Sequence, residues 1–274
     1  MGNEKEISSA KLIWKMTRPH TLTATFSPVI LGTVASLYVA EIHWLLFIAM
    51  MVACLALQIA TNLFNEYYDF KRGLDTADSV GIGGGIVRHG LKPKNVLTVA
   101  LLLYVVAAFI GIYICMNSSW WLVVIGLIGT CFVLIAFFIQ TNTITIESIL
   151  ISIPIGILVG AINMSNNIRD IEEDIKGGRK TLVILLGREK AVVTLAVAFL
   201  IAYLWIAVIV LMGYISPWAL VMFLGLKKPI SAIQSFQKGA KDPGYMRIAM
   251  KSTAMTNTIF GFLLSAGLLI SYLF

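Results

Sequence analysis

Apolar runs of about 20 residues recur along the whole chain, and they constrain its fold more than any other feature. About 20 residues is the length that a helix needs to cross the hydrocarbon core of a bilayer. The runs are continuous rather than alternating, so they predict helices and exclude a strand barrel. Eight spans are predicted: residues 22–41, 44–64, 96–116, 119–140, 147–165, 191–212, 214–232 and 253–274.

The composition excludes the soluble classes of protein. Hydrophobic residues make up 58% of the 274 residues and charged residues 13%, and the mean hydropathy is +0.88. Soluble domains carry about 25% charged residues, so this chain has too few polar side chains to cover a globule. The net charge of +7 therefore does not indicate a nucleic-acid-binding domain. The sequence predicts an all-α, polytopic transmembrane helix bundle that forms a single domain over residues 1–274.

Lysine and arginine predict which ends of the spans face the cytoplasm. All 21 of them lie in residues 1–20, 65–95, 165–190 and 227–251. The positive-inside rule places these stretches on the cytoplasmic side of the plasma membrane, with the N-terminus inside. We predict an interfacial segment at 1–20 and cytoplasmic active-site loops at 65–95 and 165–190. The basic stretches also predict contact with the headgroups of membrane lipids.

This arrangement lacks one crossing. If 119–140 is a full span, the basic stretch 165–190 falls on the wrong side of the membrane. The segment 117–147 is too short for two full spans and a turn. We therefore expect nine helices, of which about one, with its loop, is absent from this sequence near 129–135. The alternative is a re-entrant segment within 117–147.

Acidic residues are scarce and cluster at the predicted cytoplasmic ends of two spans. Asn65 and Asp69 are spaced i and i+4, so they share one helix face. Asn166, Asp170 and Asp174 repeat that spacing twice. Carboxylate and amide oxygens suit Mg²⁺, which is usually shared with substrate phosphates. The two clusters therefore predict a magnesium site that binds a diphosphate.

Basic side chains beside the acidic clusters would neutralise phosphate oxygens directly. These side chains are Lys71, Arg72, Arg88, Arg169, Arg179 and Lys180. A solvated loop whose charges only fix the topology is the simpler reading, but it leaves two matching Asn-x-x-x-Asp patterns unexplained. A cation-coupled transporter is another, although such proteins place their acids near the midplane at broken helices. A CDP-alcohol phosphotransferase would need an Asp-Gly…Ala-Arg motif, which the sequence lacks.

Four segments carry a resemblance to a known family. They are residues 18–22 (RPHTL), 62–69 (NLFNEYYD), 78–84 (DSVGIGG) and 166–174 (NNIRDIEED). On these segments the chain resembles the UbiA superfamily of intramembrane aromatic prenyltransferases, and within it the 1,4-dihydroxy-2-naphthoate polyprenyltransferases of menaquinone synthesis. It departs from the superfamily at Gly73, where an aspartate is usual. It also lacks the Tyr-Thr-Gly-Gly-Pro loop that follows the fourth helix.

The resemblance implies a reaction. A polyprenyl group would pass from polyprenyl diphosphate to 1,4-dihydroxy-2-naphthoate, with loss of the carboxylate, and Mg²⁺ would be the cofactor. The product would be a demethylmenaquinone. Another aromatic acceptor, such as 4-hydroxybenzoate, is the alternative. No nucleic acid and no obligate protein partner is implied.

The resemblance also implies a set of site residues. The catalytic residues would be Asn65, Asp69, Asp170 and Asp174, and the metal ligands would be Asp69, Asp75, Asn166, Asp170 and Asp174. Tyr67 or Tyr68 would flank the allylic cation with its ring face, and His20 at the start of the first span would transfer a proton. The full set of substrate-binding residues would be His20, Asn62, Tyr67, Tyr68, Lys71, Arg72, Arg88, Asn167, Arg169 and Lys180.

Overall fold

Helices account for most of the residues that the computed structural model describes, which are 16–73, 85–87, 89–128, 132–239 and 242–274. These residues contain no strand, and five of their helices are long and apolar enough to cross a membrane. The all-α fold class is confirmed. In chain order the helices are α1 (Pro19–Ser36), α2 (Trp44–Lys71), α3 (Pro93–Asn117), α4 (Trp121–Ile128), α5 (Phe132–Thr141), α6 (Ile146–Arg169), α7 (Ile171–Lys176), α8 (Leu182–Leu186), α9 (Arg188–Leu211), a 3-10 helix (Pro217–Gly225), α10 (Lys227–Gly239) and α11 (Pro243–Leu273).

The two ends of the bundle differ in charge. We call the end at which α2 and α6 stop, and at which α9 begins, the basic end, because Lys71, Arg169 and Arg188 lie there. The opposite end carries the first turns of α2 and α6. Both predicted active-site loops, 65–95 and 165–190, therefore leave the bundle at the basic end. Residues 1–15 of the predicted interfacial segment lie outside the described residues.

The predicted span 119–140 is wrong as a single crossing. Its place is taken by the short helices α4 and α5, of 8 and 10 residues. The Ser118 hydroxyl before α4 donates to the Asn142 side-chain oxygen after α5 at 2.9 Å, so the chain enters and leaves at the same end. That end is the opposite end, since the backbone N–H of His43 donates to the Gln140 side chain at 2.7 Å. The described residues therefore favour the re-entrant alternative, which restores the crossing count without an additional full span.

Cysteine accessibility tests this re-entrant path. We expect Asn117→Cys and Thr143→Cys to react with a membrane-impermeant maleimide from the same side of the membrane, because both residues are exposed at the opposite end. Lys190→Cys, at the basic end, serves as the control and should react only from the other side. The background protein would have its three native cysteines replaced. Labelling of positions 117 and 143 from different sides would mean that the segment crosses the membrane.

The core helix α6, of 24 residues, contains a proline whose effect is compensated by a neighbour. Pro154 has no N–H, so the carbonyl of Leu150 loses its normal helical partner. The indole N–H of Trp205 in α9 donates to that carbonyl at 2.8 Å. Buried carbonyls need a partner in a membrane interior, where water is absent. A capping box between Thr145 and Ser148 begins the helix, and α6 thereby reaches the basic end as a continuous rod.

The predicted span 214–232 is also built differently from the prediction. A 3-10 helix covers Pro217–Gly225, and α10 follows from Lys227. A 3-10 helix rises about 2.0 Å per residue, so nine residues cover the distance for which an α-helix needs about twelve. Helix α10 extends as far as Gly239, beyond the predicted end at 232.

Close packing of α5 on α1 depends on Gly32. A methyl group at this position would overlap the backbone carbonyl of Val133 and the side chain of Ala136. We expect Gly32→Ala to lower the free energy of unfolding by about 2 kcal/mol, the usual cost of overpacking. The thermal midpoint in detergent measures the effect. The matched control is Gly111→Ala in α3, where nothing lies within 4 Å; it should leave the midpoint unchanged or raise it. An equal loss in both variants would contradict the packing argument.

Candidate active site

The two acidic clusters meet at one arginine. The Arg179 guanidinium lies 2.9 Å from the Asp174 carboxylate, through Nη1, and 3.9 Å from the Asp69 carboxylate, through Nη2. Asp69 belongs to the end of α2 and Asp174 to α7, so residues more than 100 positions apart in the sequence share one cation. The two acidic clusters therefore lie together at the basic end of the bundle, where the sequence predicted them.

A tight turn after α7 positions Arg179. Gly178 has φ +68°, a left-handed conformation that glycine adopts without strain. The backbone N–H of Arg179 then donates to the Asp174 carbonyl at 2.9 Å, while its side chain returns to the Asp174 carboxylate. Asp174 is only 4% exposed. A buried carboxylate needs such a partner, because an unpaired charge out of water is costly.

Asp170 lies at the junction of α6 and α7 and is paired differently. Its carboxylate accepts two hydrogen bonds from the adjacent Arg169. The guanidinium of Arg169 also reaches the sulfur of Met250 in α11, at 3.1 Å. Both side chains are partly exposed, so the pair lies at the rim of the basic end. Arg169 is thereby held between the second acidic cluster and α11.

Asn62 and Glu66 form the buried side of the first cluster. Glu66 is 3% exposed, lies 3.8 Å from the Arg18 guanidinium and accepts from the backbone N–H of Ile86 at 3.3 Å. The Asn62 amide donates to the Thr17 carbonyl at 2.8 Å. These contacts join α2 to the chain before α1 and to Ile86. The sequence analysis did not predict this role for Glu66. Asn62 and Glu66 are spaced i, i+4, so they share one face of α2, and this face differs from the one that carries Asn65 and Asp69.

The two tyrosines within the first acidic cluster belong to a group of packed aromatic rings. Tyr68 stacks on Phe64 with ring centroids 6.1 Å apart, and Tyr67 meets Tyr68 edge to face at 5.2 Å. Tyr104 of α3 contacts Phe64 at 5.2 Å. The rings thus lie between α2 and α3, and Tyr68 keeps 43% of its surface exposed beside Asp69.

The other predicted site residues divide into three groups. Four side chains at the basic end are exposed: Asn65, Lys71, Arg72 and Lys180. Asn166 and Asn167, in the last turn of α6, are half-buried. His20 falls in the first turn of α1. Asp75 and Arg88 lie outside the described residues, as does the segment 78–84.

The donor set at this end suits a divalent cation. Asp69 and Asp174 offer carboxylate oxygens to one cation, which here is the Arg179 side chain, and hard oxygen donors are the ligands that Mg²⁺ prefers. Among the described residues no group of three or more histidine, cysteine or acidic side chains converges. A site of two carboxylates matches Mg²⁺ bound jointly by protein and substrate phosphates rather than by a closed protein cage.

Comparison with known proteins agrees with the fold. The model of the UbiA prenyltransferase family matches residues 25–132 and 116–243. The 1,4-dihydroxy-2-naphthoate octaprenyltransferase of Bacillus subtilis is 56% identical, over 97% of this chain and 94% of the relative. The protein of the same name from Haemophilus influenzae is 27% identical over 98% of each chain. A solved structure of digeranylgeranylglyceryl phosphate synthase matches 96% of this chain with a TM-score of 0.57 and 12% identity, which supports the fold alone.

The chain belongs to the UbiA prenyltransferase family. It is an enzyme, a prenyltransferase, and a multi-pass membrane protein. Its similarity to naphthoate octaprenyltransferases supports prenyl transfer of the menaquinone type. Prenyltransferases of this family generally use a divalent metal.

The comparisons also bear on the short pair of helices α4 and α5. The alignment with the Bacillus subtilis relative runs over 294 positions, whereas this chain has 274 residues. At least 20 aligned positions therefore have no residue here. The two family matches overlap at residues 116–132, which include α4. The number of aligned positions without a residue here is about the length of one membrane-spanning helix.

Proposed function

We propose that this protein transfers a polyprenyl group from its diphosphate to 1,4-dihydroxy-2-naphthoate, with decarboxylation, and so produces a demethylmenaquinone. The observation that carries the proposal is the convergence of Asp69 and Asp174 on Arg179, in a chain 56% identical to a naphthoate octaprenyltransferase. In this proposal the basic end lies on the cytoplasmic side of the plasma membrane, as the positive-inside rule requires. The polyprenyl diphosphate and the acceptor meet there.

The chain's own residues would bind and orient the diphosphate. Arg179 is half-exposed between two carboxylates. Its guanidinium can therefore release one carboxylate and bind a phosphate oxygen with only a small movement of the side chain. Arg72 and Lys180 supply further cations at the same end, and Arg169 is held in place by Asp170 and Met250. Preorganised cations stabilise the negative charge that develops on the diphosphate as the allylic bond breaks.

Mg²⁺ would be held by Asp69 and Asp174, assisted by Asp170 and by the amides of Asn65 and Asn166. When bound it would neutralise phosphate oxygens and favour departure of the diphosphate. Asp75 is the remaining candidate ligand in the first cluster. Tyr68 would present its ring to the allylic cation, since cations are attracted to aromatic faces. His20 remains the proposed proton-transfer residue.

The test is prenyl transfer by purified protein in detergent. Labelled polyprenyl diphosphate would be combined with 1,4-dihydroxy-2-naphthoate or 4-hydroxybenzoate, with Mg²⁺ or with EDTA. We expect decarboxylated, prenylated naphthoate in the presence of Mg²⁺ and none with EDTA. A product from 4-hydroxybenzoate alone would keep the prenyltransferase assignment and overturn the acceptor. Equal product with EDTA would overturn the metal.

A further inference from the structure

A well-formed cavity among the described residues lies at the opposite end of the bundle, away from the two acidic clusters. Its volume is about 630 Å³, within the usual range for pockets that bind small molecules. Five α-helices line it, namely α1, α5, α6, α9 and α11, together with the start of the 3-10 helix. Its walls are mainly apolar and include Ala35, Phe137, Ile151, Val210 and Leu268.

Most polar groups of this cavity are already engaged. The Tyr38 hydroxyl donates to the Leu268 carbonyl at 2.7 Å. Thr145 and Ser148 satisfy one another in the capping box of α6. The Glu147 carboxylate, by contrast, is exposed and has no ion pair among the described residues. It is also the only charged residue in the lining.

The charge of this end favours a cationic ligand. All 21 lysines and arginines lie in the four stretches that exclude the connections at the opposite end, whereas Glu41 and Glu147 lie there. An anionic headgroup would therefore find no basic partner in the cavity. An ammonium group would bind Glu147 through a charge-assisted hydrogen bond. An alkyl chain would fill the apolar walls and gain the free energy of leaving water.

We propose that this cavity binds an amphiphile with an alkyl chain and a primary ammonium head, with Glu147 as the anion that selects the head. The cavity lies where α6 begins and α9 ends, and we expect this level of the bundle to meet the lipid headgroups. Two sources supply such a head, an aminophospholipid of the membrane and a free long-chain amine. The site is separate from the proposed reaction, so its test does not depend on prenyl transfer.

The first experiment compares two ligands of equal chain length. Purified protein in a neutral maltoside detergent would be titrated with decylammonium chloride or with decanol, and its thermal midpoint followed by tryptophan fluorescence. We expect a saturable rise with an apparent Kd at least tenfold lower for decylammonium, because only the amine can pair with Glu147. Equal Kd values for the two ligands would overturn the proposal.

Matched variants locate the site. Glu147→Gln should remove the preference for the amine, whereas Glu41→Gln, an exposed acid of the same end that does not line the cavity, should retain it. Val39→Trp would fill the cavity mouth from a position that is 49% exposed, and should weaken both ligands. A preference that survives Glu147→Gln would overturn the proposal, and so would unchanged binding in Val39→Trp.

A second experiment separates the two sources. Nanodiscs of phosphatidylcholine would contain either phosphatidylethanolamine or phosphatidylglycerol, and retained lipid would be counted by native mass spectrometry. Retention of phosphatidylethanolamine that is lost in Glu147→Gln assigns the site to an aminophospholipid. Equal retention of both lipids, together with the tenfold preference for decylammonium, assigns it to a free amine.

Discussion

Asp174→Asn is expected to lower kcat/KM for prenyl transfer by about 100- to 1000-fold, the range for loss of one preorganised charge at a reacting centre. Asp174 is buried and shares Arg179 with Asp69, so the amide would remove half of the proposed metal site and leave Arg179 with one partner fewer. Asp69→Asn should have a similar effect. Initial rates measured against Mg²⁺ concentration should also show that each variant needs more metal for half-maximal activity.

The matched control for this prediction is Glu173→Gln. Glu173 precedes Asp174 in α7, carries the same charge and is exposed, with no ion pair among the described residues. It should keep its activity within about twofold, as expected for a solvated surface charge. If Glu173→Gln lost as much activity as Asp174→Asn, the net charge of the segment rather than a metal site would explain both results.

Glu66→Ala is expected to destabilise the fold by about 3 kcal/mol, because it removes a buried carboxylate that pairs with Arg18. The substitution also removes the acceptor for the Ile86 N–H. For a chain of this size about 3 kcal/mol corresponds to roughly 6–12 °C in the thermal midpoint. The midpoint in detergent measures it, and limited proteolysis should cut faster near residues 74–84 as the contact with Ile86 is lost.

Two comparisons qualify the Glu66 result. Glu41→Ala, at an exposed position in the connection from α1 to α2, should leave the midpoint unchanged. Glu66→Gln keeps an acceptor oxygen for Ile86 and should fall between wild type and Glu66→Ala. A Glu66→Ala protein with a normal midpoint but no activity would assign Glu66 to the chemistry instead of to the packing.

The sequence predicts the long helices and the two acidic clusters because both depend on local pattern. Apolar runs of spanning length specify α2, α3, α6, α9 and α11, and i, i+4 spacing specifies which acids share a face. Those features need no knowledge of the partners of each helix. The convergence of the clusters at one end follows from the charge distribution, which orders the ends of the helices before any contact is known.

The partner of each acid depends on contacts that no local pattern contains. Arg179 is one of six basic residues predicted to lie near the site, and only the turn at Gly178 brings it to Asp174. Asn62 was predicted to bind substrate, and the structure engages its amide with the Thr17 carbonyl, 45 positions away. Hydropathy likewise does not distinguish a single span from α4 and α5, since a run of apolar residues is equally apolar when it turns back.

Because α4 and α5 are short, we expect membrane lipid to pack directly against this side of the protein. At about 1.5 Å per residue, helices of 8 and 10 residues reach about half-way across a hydrocarbon core that is about 30 Å thick. We expect acyl chains of the leaflet at the basic end to occupy the space between these two helices and that end. We therefore expect removal of those lipids during purification to weaken packing only in the half of the bundle at the basic end. The stability of the protein then depends on the lipids of the leaflet beside the acidic clusters.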